Sequence, residues 1–232
     1  MARNGQREYE LIAHEHPKSP VAEAYRMVRT NLGFSSLDRP CRSIMVTSAN
    51  PQDGKSQTAA NLAVVMAQAG HKVIVVDCDL RKPAQHKIFE LENRQGITNW
   101  LTEKRELEEV VKRTDIDNLS VLTSGPIPPN PAEILNAERT RSLWPQLLEQ
   151  YDYVLVDSPP LLAVTDAAVL STQVDGVLMV VSSQVTKKEM AKEAKEQLVK
   201  ANARIIGVIL NQVKLSKQDY QYYYYYYSEK AE

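Results

Sequence analysis

The sequence predicts an α/β fold, a doubly wound and mainly parallel β-sheet with helices on both faces. Two observations carry this prediction. Six short runs rich in β-branched residues are apolar along most of their length, as strands buried on both faces are, and segments with helical patterns separate the runs. In such folds, ligands bind beside the carboxyl ends of the strands. The predicted strands are residues 43–48, 73–77, 119–122, 153–157, 177–182 and 205–210.

Helices between the strands are predicted from their ends and their apolar faces. Residues 55–69 are apolar on nearly every side and stop at Gly70, which is typical of a helix buried against a sheet. Two other helices are expected to begin at capping boxes, in which a polar side chain and a glutamate three residues later each accept a backbone N–H. The pairs are Asn130 with Glu133, around a helix-starting Pro131, and Thr186 with Glu189.

A further amphipathic helix is predicted near the N-terminus. Ser19 is its expected N-cap and Pro20 its first residue. One face is an apolar stripe and the adjoining face is charged, and spacing alone favours a solvated surface for the charged face. The stripe consists of Val21, Tyr25, Val28 and Leu32, and the charged face consists of Glu23, Arg26 and Arg29.

The length and composition predict one domain with a segment at either end. The chain has 232 residues, of which 43% are hydrophobic, enough to form a complete core. The expected boundaries are a flexible segment at 1–16, the domain at 17–214 and a disordered segment at 215–232. Because 29 acidic residues balance 28 basic ones, for a net charge of −1, binding to nucleic acid is not expected.

Cysteine usage and hydropathy predict a reduced, intracellular protein. Cys41 and Cys78 fit no metal-ligand spacing, and Cys78 lies inside an apolar run, so a disulfide framework is not expected. No run approaches the ~18 apolar residues of a membrane-spanning helix, and residues 1–10 contain no apolar leader segment. We therefore expect a cytoplasmic protein that reaches a membrane only through a partner.

The loop after the first strand has the pattern of a phosphate-binding loop. It matches G-x-x-x-x-G-K-S/T, except that Ala49 replaces the first glycine. In such loops the backbone N–H groups bind phosphate oxygens, so Lys55 would contact the β- and γ-phosphates and the Ser56 hydroxyl would ligate Mg²⁺. The alternative is a Gly-Lys-Ser turn without a ligand. The predicted ATP-binding residues of the loop are Ala49, Asn50, Pro51, Gln52, Asp53, Gly54, Lys55, Ser56 and Gln57.

Two predicted strands end in carboxylates at the edge of the sheet where ligands bind. Asp77 and Asp79 follow the second strand, and Asp157 ends the fourth. Asp157 has the position of a Walker B aspartate, which holds the hydration shell of Mg²⁺. The alternative is that these aspartates only cap the turns that follow. With the phosphate-binding loop, the carboxylates predict ATP and Mg²⁺ as cofactors.

These motifs together resemble those of a known family. Asp77-x-Asp79-x-Arg81 resembles the Walker A′ motif, which with a Walker A and a Walker B motif marks the bacterial protein-tyrosine kinases (BY-kinases) of capsule and exopolysaccharide systems. Residues 124–131 resemble a segment typical of these enzymes. The resemblance covers roughly residues 17–227.

The resemblance implies a P-loop NTPase fold of the MinD/ParA-like class and a kinase that transfers phosphate from Mg-ATP to tyrosine hydroxyls. It implies that Lys55, Asp77 and Asp79 carry the catalysis. Asp77, ahead of Asp79, would accept the proton of the tyrosine hydroxyl, which has an unperturbed pKa near 10 and needs such help at neutral pH. Ser56, Asp79 and Asp157 would serve the metal.

Three further positions are compared with the family's pattern. Asn211 matches the asparagine that contacts adenine in relatives, and a buried asparagine that closes a turn is the alternative. Asp53 and Gln57 depart from what many relatives have. The negative charge of Asp53 is expected to weaken phosphate affinity unless its side chain points outward.

A tyrosine cluster near the C-terminus resembles that of the BY-kinases. Tyrosine occupies seven of the eight positions from 220 to 227, a composition that is not expected of a strand in a protein core. The resemblance implies that this cluster is a substrate, phosphorylated in trans within an oligomer; the alternative is an adhesive low-complexity terminus. Each phosphate adds about −1.5 to −2 charges, so we predict that phosphorylation releases the oligomer. The predicted phosphoacceptors are Tyr220, Tyr222, Tyr223, Tyr224, Tyr225, Tyr226 and Tyr227.

The resemblance also implies partners. Glu23, Arg26 and Arg29 resemble the E-x-x-R-x-x-R oligomerisation motif of the family, which predicts a ring-like homo-oligomer in which Glu23 of one subunit meets arginines of the next. Relatives work with a transmembrane modulator, similar to polysaccharide co-polymerases, that activates the kinase. The resemblance further implies two kinds of partner, protein tyrosine substrates and a cognate phosphotyrosine phosphatase. These partners would place the protein at the inner face of the cell membrane.

Two other functions fit parts of the sequence. The first is a ParA/MinD-like ATPase switch, but those proteins carry an extra lysine where this chain has Asn50. They also often use a basic DNA-binding surface or an amphipathic C-terminal helix, which the sequence does not show. The second is a catalytically silent, nucleotide-dependent assembly module whose tyrosines another enzyme modifies.

Overall fold

The computed structural model describes residues 9–35, 39–103 and 105–214, which contain a seven-stranded β-sheet. In chain order the strands are β1 (Ser43–Ser48), β2 (Val73–Asp77), β3 (Val111–Arg113), β4 (Leu119–Leu122), β5 (Tyr153–Asp157), β6 (Gly176–Ser182) and β7 (Ile205–Asn211). Their order in the sheet is β3-β4-β2-β5-β1-β6-β7. The edge strand β3 runs antiparallel to β4, and the other neighbouring strands are parallel. The predicted doubly wound, mainly parallel sheet is confirmed.

Helices cover both faces of the sheet. They are α1 (Ile12–Glu15), α2 (Pro20–Ser35), α3 (Lys55–Ala67), α4 (Gln85–Ile88), α5 (Ile97–Glu103), α6 (Leu107–Val110), α7 (Pro131–Asn136), α8 (Glu138–Gln150), α9 (Asp166–Ser171) and α10 (Lys188–Lys200). Alternate residues of a strand point to opposite faces. Val73 and Val75 of β2 pack with α1 to α4, whereas Ile74 and Val76 pack with α5 to α10. Two apolar cores therefore enclose the sheet.

The predicted strands agree with the structure in four cases, while β6 begins at Gly176 and β7 ends at Asn211, one residue beyond each prediction. Strand β3 was not predicted because Lys112 and Arg113 interrupt any apolar run there. The predicted helix at 55–69 ends at Ala67, since Gly70 with a φ of 90° turns the chain away.

Neither predicted capping box forms. Asn130 does precede α7, and Pro131 is its first residue as expected, but Asn130 Nδ2 donates to Glu133 Oε2 at 2.6 Å instead of accepting a backbone N–H. Helix α10 begins at Lys188, because the Thr186 hydroxyl donates to Asp53 Oδ1 at 2.5 Å and is not used as a cap. A buried carboxylate therefore replaced the local backbone as the partner of Thr186.

The N-terminal part of the fold is more ordered than predicted. Residues 12–15, within the segment expected to be flexible, form α1, because Ala13 is fully buried and its N–H donates to Asn61 Oδ1 at 2.8 Å. Helix α2 begins at Pro20 as predicted, and Ser19 Oγ accepts the N–H of Ala22. Of its predicted apolar stripe, Tyr25 and Leu32 are buried, Val28 packs against the core and Val21 is exposed.

The sheet order brings the functional loops to one edge. Strand β5 lies between β2 and β1, so the carboxyl ends of these three strands are neighbours. Residues Asp77 and Asp157 are register partners at this edge. No helix in the described part of the chain is long and apolar enough to span a membrane.

Candidate active site

The predicted phosphate-binding loop connects β1 to the N-terminus of α3. Gly54 precedes the helix with a φ of 91°, a conformation that favours glycine. A Cβ at Gly54 would lie 2.1 Å from Asn211 Nδ2, so a side chain here would displace the Asn211 amide from its present position. Lys55 and Ser56 are the first helical residues, which places their N–H groups at the positive end of the helix, where anions bind.

Three hydrogen bonds, each with a side chain as donor or acceptor, hold the loop around Asp53. The Asp53 carboxylate is fully buried: Oδ2 accepts the N–H of Asn50 at 3.0 Å and Oδ1 accepts the hydroxyl of Thr186. The carbonyl of Asp53 accepts Asn211 Nδ2 at 3.0 Å. The Asp53 side chain therefore does not point outward. It is held inside the protein, where it fixes the shape of the loop.

The Lys55 ammonium lies among three oxygen atoms from separate parts of the site. Nζ is 2.9 Å from Asp79 Oδ2, 3.3 Å from Asp157 Oδ1 and 3.0 Å from the hydroxyl of Ser56. Burial alone would lower the pKa of Lys55, but the carboxylates of Asp157 and Asp79 outweigh it and raise that pKa above its ordinary value. The structure thus brings together the predicted phosphate-binding and metal-binding side chains.

Asp77 is held differently from the other carboxylates. It is fully buried, and its oxygens accept three backbone N–H groups, from Asp79 at 3.2 Å, Ala84 at 3.0 Å and Gln85 at 2.9 Å. Burial, with the nearby charge of Asp157, raises the pKa of Asp77 well above its ordinary value. Asp77 is therefore a rigid carboxylate beside the group formed by Lys55, Ser56, Asp79 and Asp157, which we call the lysine cluster.

Two polar contacts of the site were not predicted from sequence. Gln85 Nε2 donates to Asp157 Oδ2 at 2.8 Å and to the Ser56 carbonyl at 3.1 Å. Arg81 forms two hydrogen bonds with the fully buried Asp166, at 2.9 and 3.1 Å. Arg81 was recognised as part of a motif, but its partner lies 85 residues away, and no local pattern identifies it.

The remaining predicted loop residues differ in their surroundings. Ala49 is buried, and Pro51 and Gln52 are exposed. The Gln57 side chain donates to the Glu10 carbonyl and so joins α3 to the N-terminal segment. The predicted phosphoacceptors Tyr220 and Tyr222 to Tyr227 lie outside the described residues.

The predicted oligomerisation residues lie along α2, where they line a groove of about 270 Å³. Within this chain, Arg26 Nη1 pairs with Glu23 Oε2 at 2.8 Å, and Arg26 Nη2 donates to the Pro17 carbonyl. Arg29 Nη1 donates to the Val65 carbonyl on α3 at 2.8 Å. Contact between Glu23 and a second subunit stays a prediction.

The donor set suits a hard divalent cation bound with a nucleotide. Mg²⁺ prefers carboxylate, hydroxyl and water oxygens, and Asp79, Asp157 and Ser56 supply the first two kinds beside the loop. The oxygen Gln85 Oε1 is buried and has no hydrogen-bond partner within the described residues, as expected where a water completes the site.

Comparison with known proteins identifies the family. Residues 42–215 match the family model of an AAA domain. Tyrosine-protein kinase YwqD of Bacillus subtilis is 48% identical over 221 residues, which cover 95% of this chain and 93% of that protein.

Solved structures agree with this assignment. The kinase domain of Escherichia coli tyrosine kinase ETK superimposes with a TM-score of 0.83 at 32% identity, covering 92% of this chain and 86% of that one. The septum site-determining protein MinD of Pyrococcus horikoshii shares the fold, with a TM-score of 0.65 at 23% identity over 77% of this chain and 73% of that one. The chain belongs to the family of bacterial protein-tyrosine kinases, whose P-loop fold is that of the MinD-like ATPases.

Proposed function

We propose that this kinase uses Mg-ATP to phosphorylate tyrosines, including those of its own C-terminal segment in trans, and so regulates capsular or exopolysaccharide synthesis. One observation carries the proposal. Oxygen atoms of Ser56 in α3, Asp79 after β2 and Asp157 at the end of β5 lie within 3.3 Å of the Lys55 nitrogen. The buried Asp77 lies beside them. Phosphoryl transfer requires this combination of cation, metal-binding oxygens and carboxylate base.

The nucleotide is held by the loop and by Lys55. Backbone N–H groups at the start of α3 bind phosphate oxygens, and the Lys55 ammonium neutralises charge that develops on the transferred group. A bound Mg²⁺ would supply further neutralisation of the β- and γ-phosphates, held by Ser56, Asp79 and Asp157. Asn211 stays the proposed contact to adenine, although in the free protein its amide donates to the Asp53 carbonyl.

Asp77 is the proposed base for the tyrosine hydroxyl. Its oxygens already accept three backbone N–H groups, so the carboxylate cannot rotate and has one defined orientation. A base fixed in this way loses little freedom in the transition state. Asp79 is the less suitable base, because its Oδ2 contacts Lys55 and its Oδ1 accepts the N–H of Lys82.

The described residues that precede the C-terminal segment support the proposed substrate. The segment follows Lys214, and the preceding residues are bonded to the phosphate-binding loop: Asn211 to the Asp53 carbonyl and Gln212 to the Gln52 carbonyl at 3.1 Å. The chain therefore leaves the described part of the protein at the nucleotide-binding edge. The α2 residues Glu23, Arg26 and Arg29 are proposed to form the ring that presents this segment to a neighbouring subunit.

Partners and location follow from the family. A transmembrane modulator is proposed to activate the kinase and to bring it to the inner face of the cell membrane, and a phosphotyrosine phosphatase is proposed to reverse the modification. Accumulated phosphate charge on the segment is proposed to dissociate the ring. Light scattering before and after phosphorylation tests this, since an unchanged mass for the fully phosphorylated protein would contradict it.

The direct test of activity uses purified protein with Mg-ATP. We expect phosphotyrosine in the intact protein and none in Lys55→Met or Asp77→Ala. Protein that binds Mg-ATP but forms no phosphotyrosine, even with the cytoplasmic end of the modulator added, would contradict the proposal. ATP hydrolysis without phosphotyrosine would instead favour a ParA/MinD-like switch, and binding without either reaction would favour a silent assembly module.

A further inference from the structure

One glutamine forms hydrogen bonds with three separate parts of the site. The backbone N–H of Gln85 donates to Asp77 Oδ2 at 2.9 Å, and its side-chain Nε2 donates to Asp157 Oδ2 at 2.8 Å and to the carbonyl of Ser56 at 3.1 Å. Gln85 is fully buried at the start of α4. It therefore ties the carboxyl ends of β2 and β5 to the first turn of α3.

The orientation of the Gln85 amide follows from its neighbours. Both atoms near Nε2 are acceptors, a carboxylate oxygen and a carbonyl oxygen, so an exchange of the amide nitrogen and oxygen would set oxygen against oxygen. The other amide atom, Oε1, is buried without a partner in the described part of the chain. A buried acceptor without a donor loses the hydrogen bonds that water would give it, so it calls for a ligand or a water.

We propose that Gln85 is a positioning residue for the divalent cation of the nucleotide complex. This inference rests on the proposed function, because it requires Mg-nucleotide at Ser56 and Asp157. Nε2 fixes the carboxylate of Asp157 relative to the helix that carries the Ser56 hydroxyl. Oε1 accepts a hydrogen bond from a water that the cation holds, since Mg²⁺ retains several waters in protein sites.

The chemistry of Oε1 favours a water over a direct bond to the nucleotide. An amide oxygen repels phosphate oxygens and needs a donor, and a cation-bound water is a strong donor. Lys55 does not fill this role, because its ammonium contacts Asp79, Asp157 and Ser56. Gln85 thus acts on the metal through the carboxylate and through the hydration shell.

The test compares the affinity for ADP in Mg²⁺ with that in EDTA, by titration calorimetry. Gln85→Met and Gln85→Leu remove both the donor and the acceptor. We expect the ratio of the two affinities to fall by about 10- to 100-fold, as for other residues that support metal ligands, with the EDTA value little changed. The control is Gln173→Met, because Gln173 also bonds a carbonyl and a side chain, at Leu135 and Trp144, away from the site.

A merely structural role would lower the melting temperature and leave the affinity ratio unchanged, which would overturn the proposal. A second measurement needs no variant. In the wild type, the side-chain amide resonance of Gln85 should shift when Mg²⁺ is added to the ADP complex, and an unchanged resonance would overturn the proposal. A wild type whose ADP affinity does not depend on Mg²⁺ would contradict the proposed function itself, and the inference with it.

Discussion

The lysine cluster at the sheet edge and the charged face of α2 hold their charges in opposite ways. Lys55, Asp79 and Asp157 are almost entirely buried, and Asp157 is oriented by a further hydrogen bond from Gln85. On α2, the side chains of Glu23 and Arg26 are 29% and 30% exposed and pair one turn apart. Charges in the first region are positioned for chemistry, while those in the second remain accessible for a partner.

The contrast between the two regions predicts that the largest loss of activity follows substitution of the proposed base, Asp77. Asp77→Asn should lower kcat by about 10²–10⁴-fold, because a positioned base contributes that much, while ADP affinity in Mg²⁺ stays within a few fold of wild type. Asp79→Asn should instead weaken the Mg²⁺-dependent part of ADP affinity. Steady-state kinetics and calorimetry check the pair. The reversed pattern would assign the base to Asp79.

Loss of the buried cation should be next in size. Lys55→Met should lower kcat by about 10²–10³-fold, because Lys55 is proposed to neutralise the charge of the transferred phosphate. The matched control is Lys112→Met, a half-buried lysine whose Nζ donates to the Gln95 carbonyl and the Thr123 hydroxyl away from the cluster. If both variants lost phosphotyrosine formation equally, Lys55 would be no more important for activity than a lysine buried outside the cluster.

Removal of a hydrogen bond that holds the phosphate-binding loop should have a moderate effect on stability and ADP binding. Thr186→Val leaves Asp53 Oδ1 without its hydroxyl donor, while the N–H of Asn50 still donates to Oδ2. The loss should lower the free energy of unfolding by about 1–3 kcal/mol and weaken ADP binding. Urea unfolding and calorimetry measure the two effects. Thr172→Val is the control, because the Thr172 hydroxyl donates to the Val169 carbonyl on the surface. A Thr186→Val protein with wild-type stability and ADP affinity would show that this hydrogen bond does not hold the loop in place.

The smallest effect on stability is expected on α2. Glu23→Gln removes a partly exposed pair, which should change the free energy of unfolding by only about 0.2–1 kcal/mol. The same substitution should lower the mass of the assembly measured by light scattering. Glu133→Gln, which alters a surface contact with Asn130, should leave that mass unchanged. An unaltered assembly in Glu23→Gln would show that this face is only solvated.

The sequence predicted local features well and tertiary partners poorly. Apolar runs identified the parallel strands, and the loop motif identified Lys55 and Ser56, because both signals lie within a few neighbouring residues. The contact of Gln85 with Asp157 joins residues 72 apart, and that of Thr186 with Asp53 joins residues 133 apart. The predicted cap at Thr186 was wrong for this reason, since a distant carboxylate competed with the local backbone.

The central claim is that this kinase phosphorylates the tyrosines of its own C-terminal segment in trans. A mixture of two variants tests it: Lys55→Met with an intact segment, and an active protein in which Tyr220 and Tyr222 to Tyr227 are phenylalanine. With Mg-ATP, mass spectrometry should find phosphotyrosine in the segment of the Lys55→Met protein. If the Lys55→Met protein acquires no phosphotyrosine there while a wild-type sample does, transfer between subunits is contradicted.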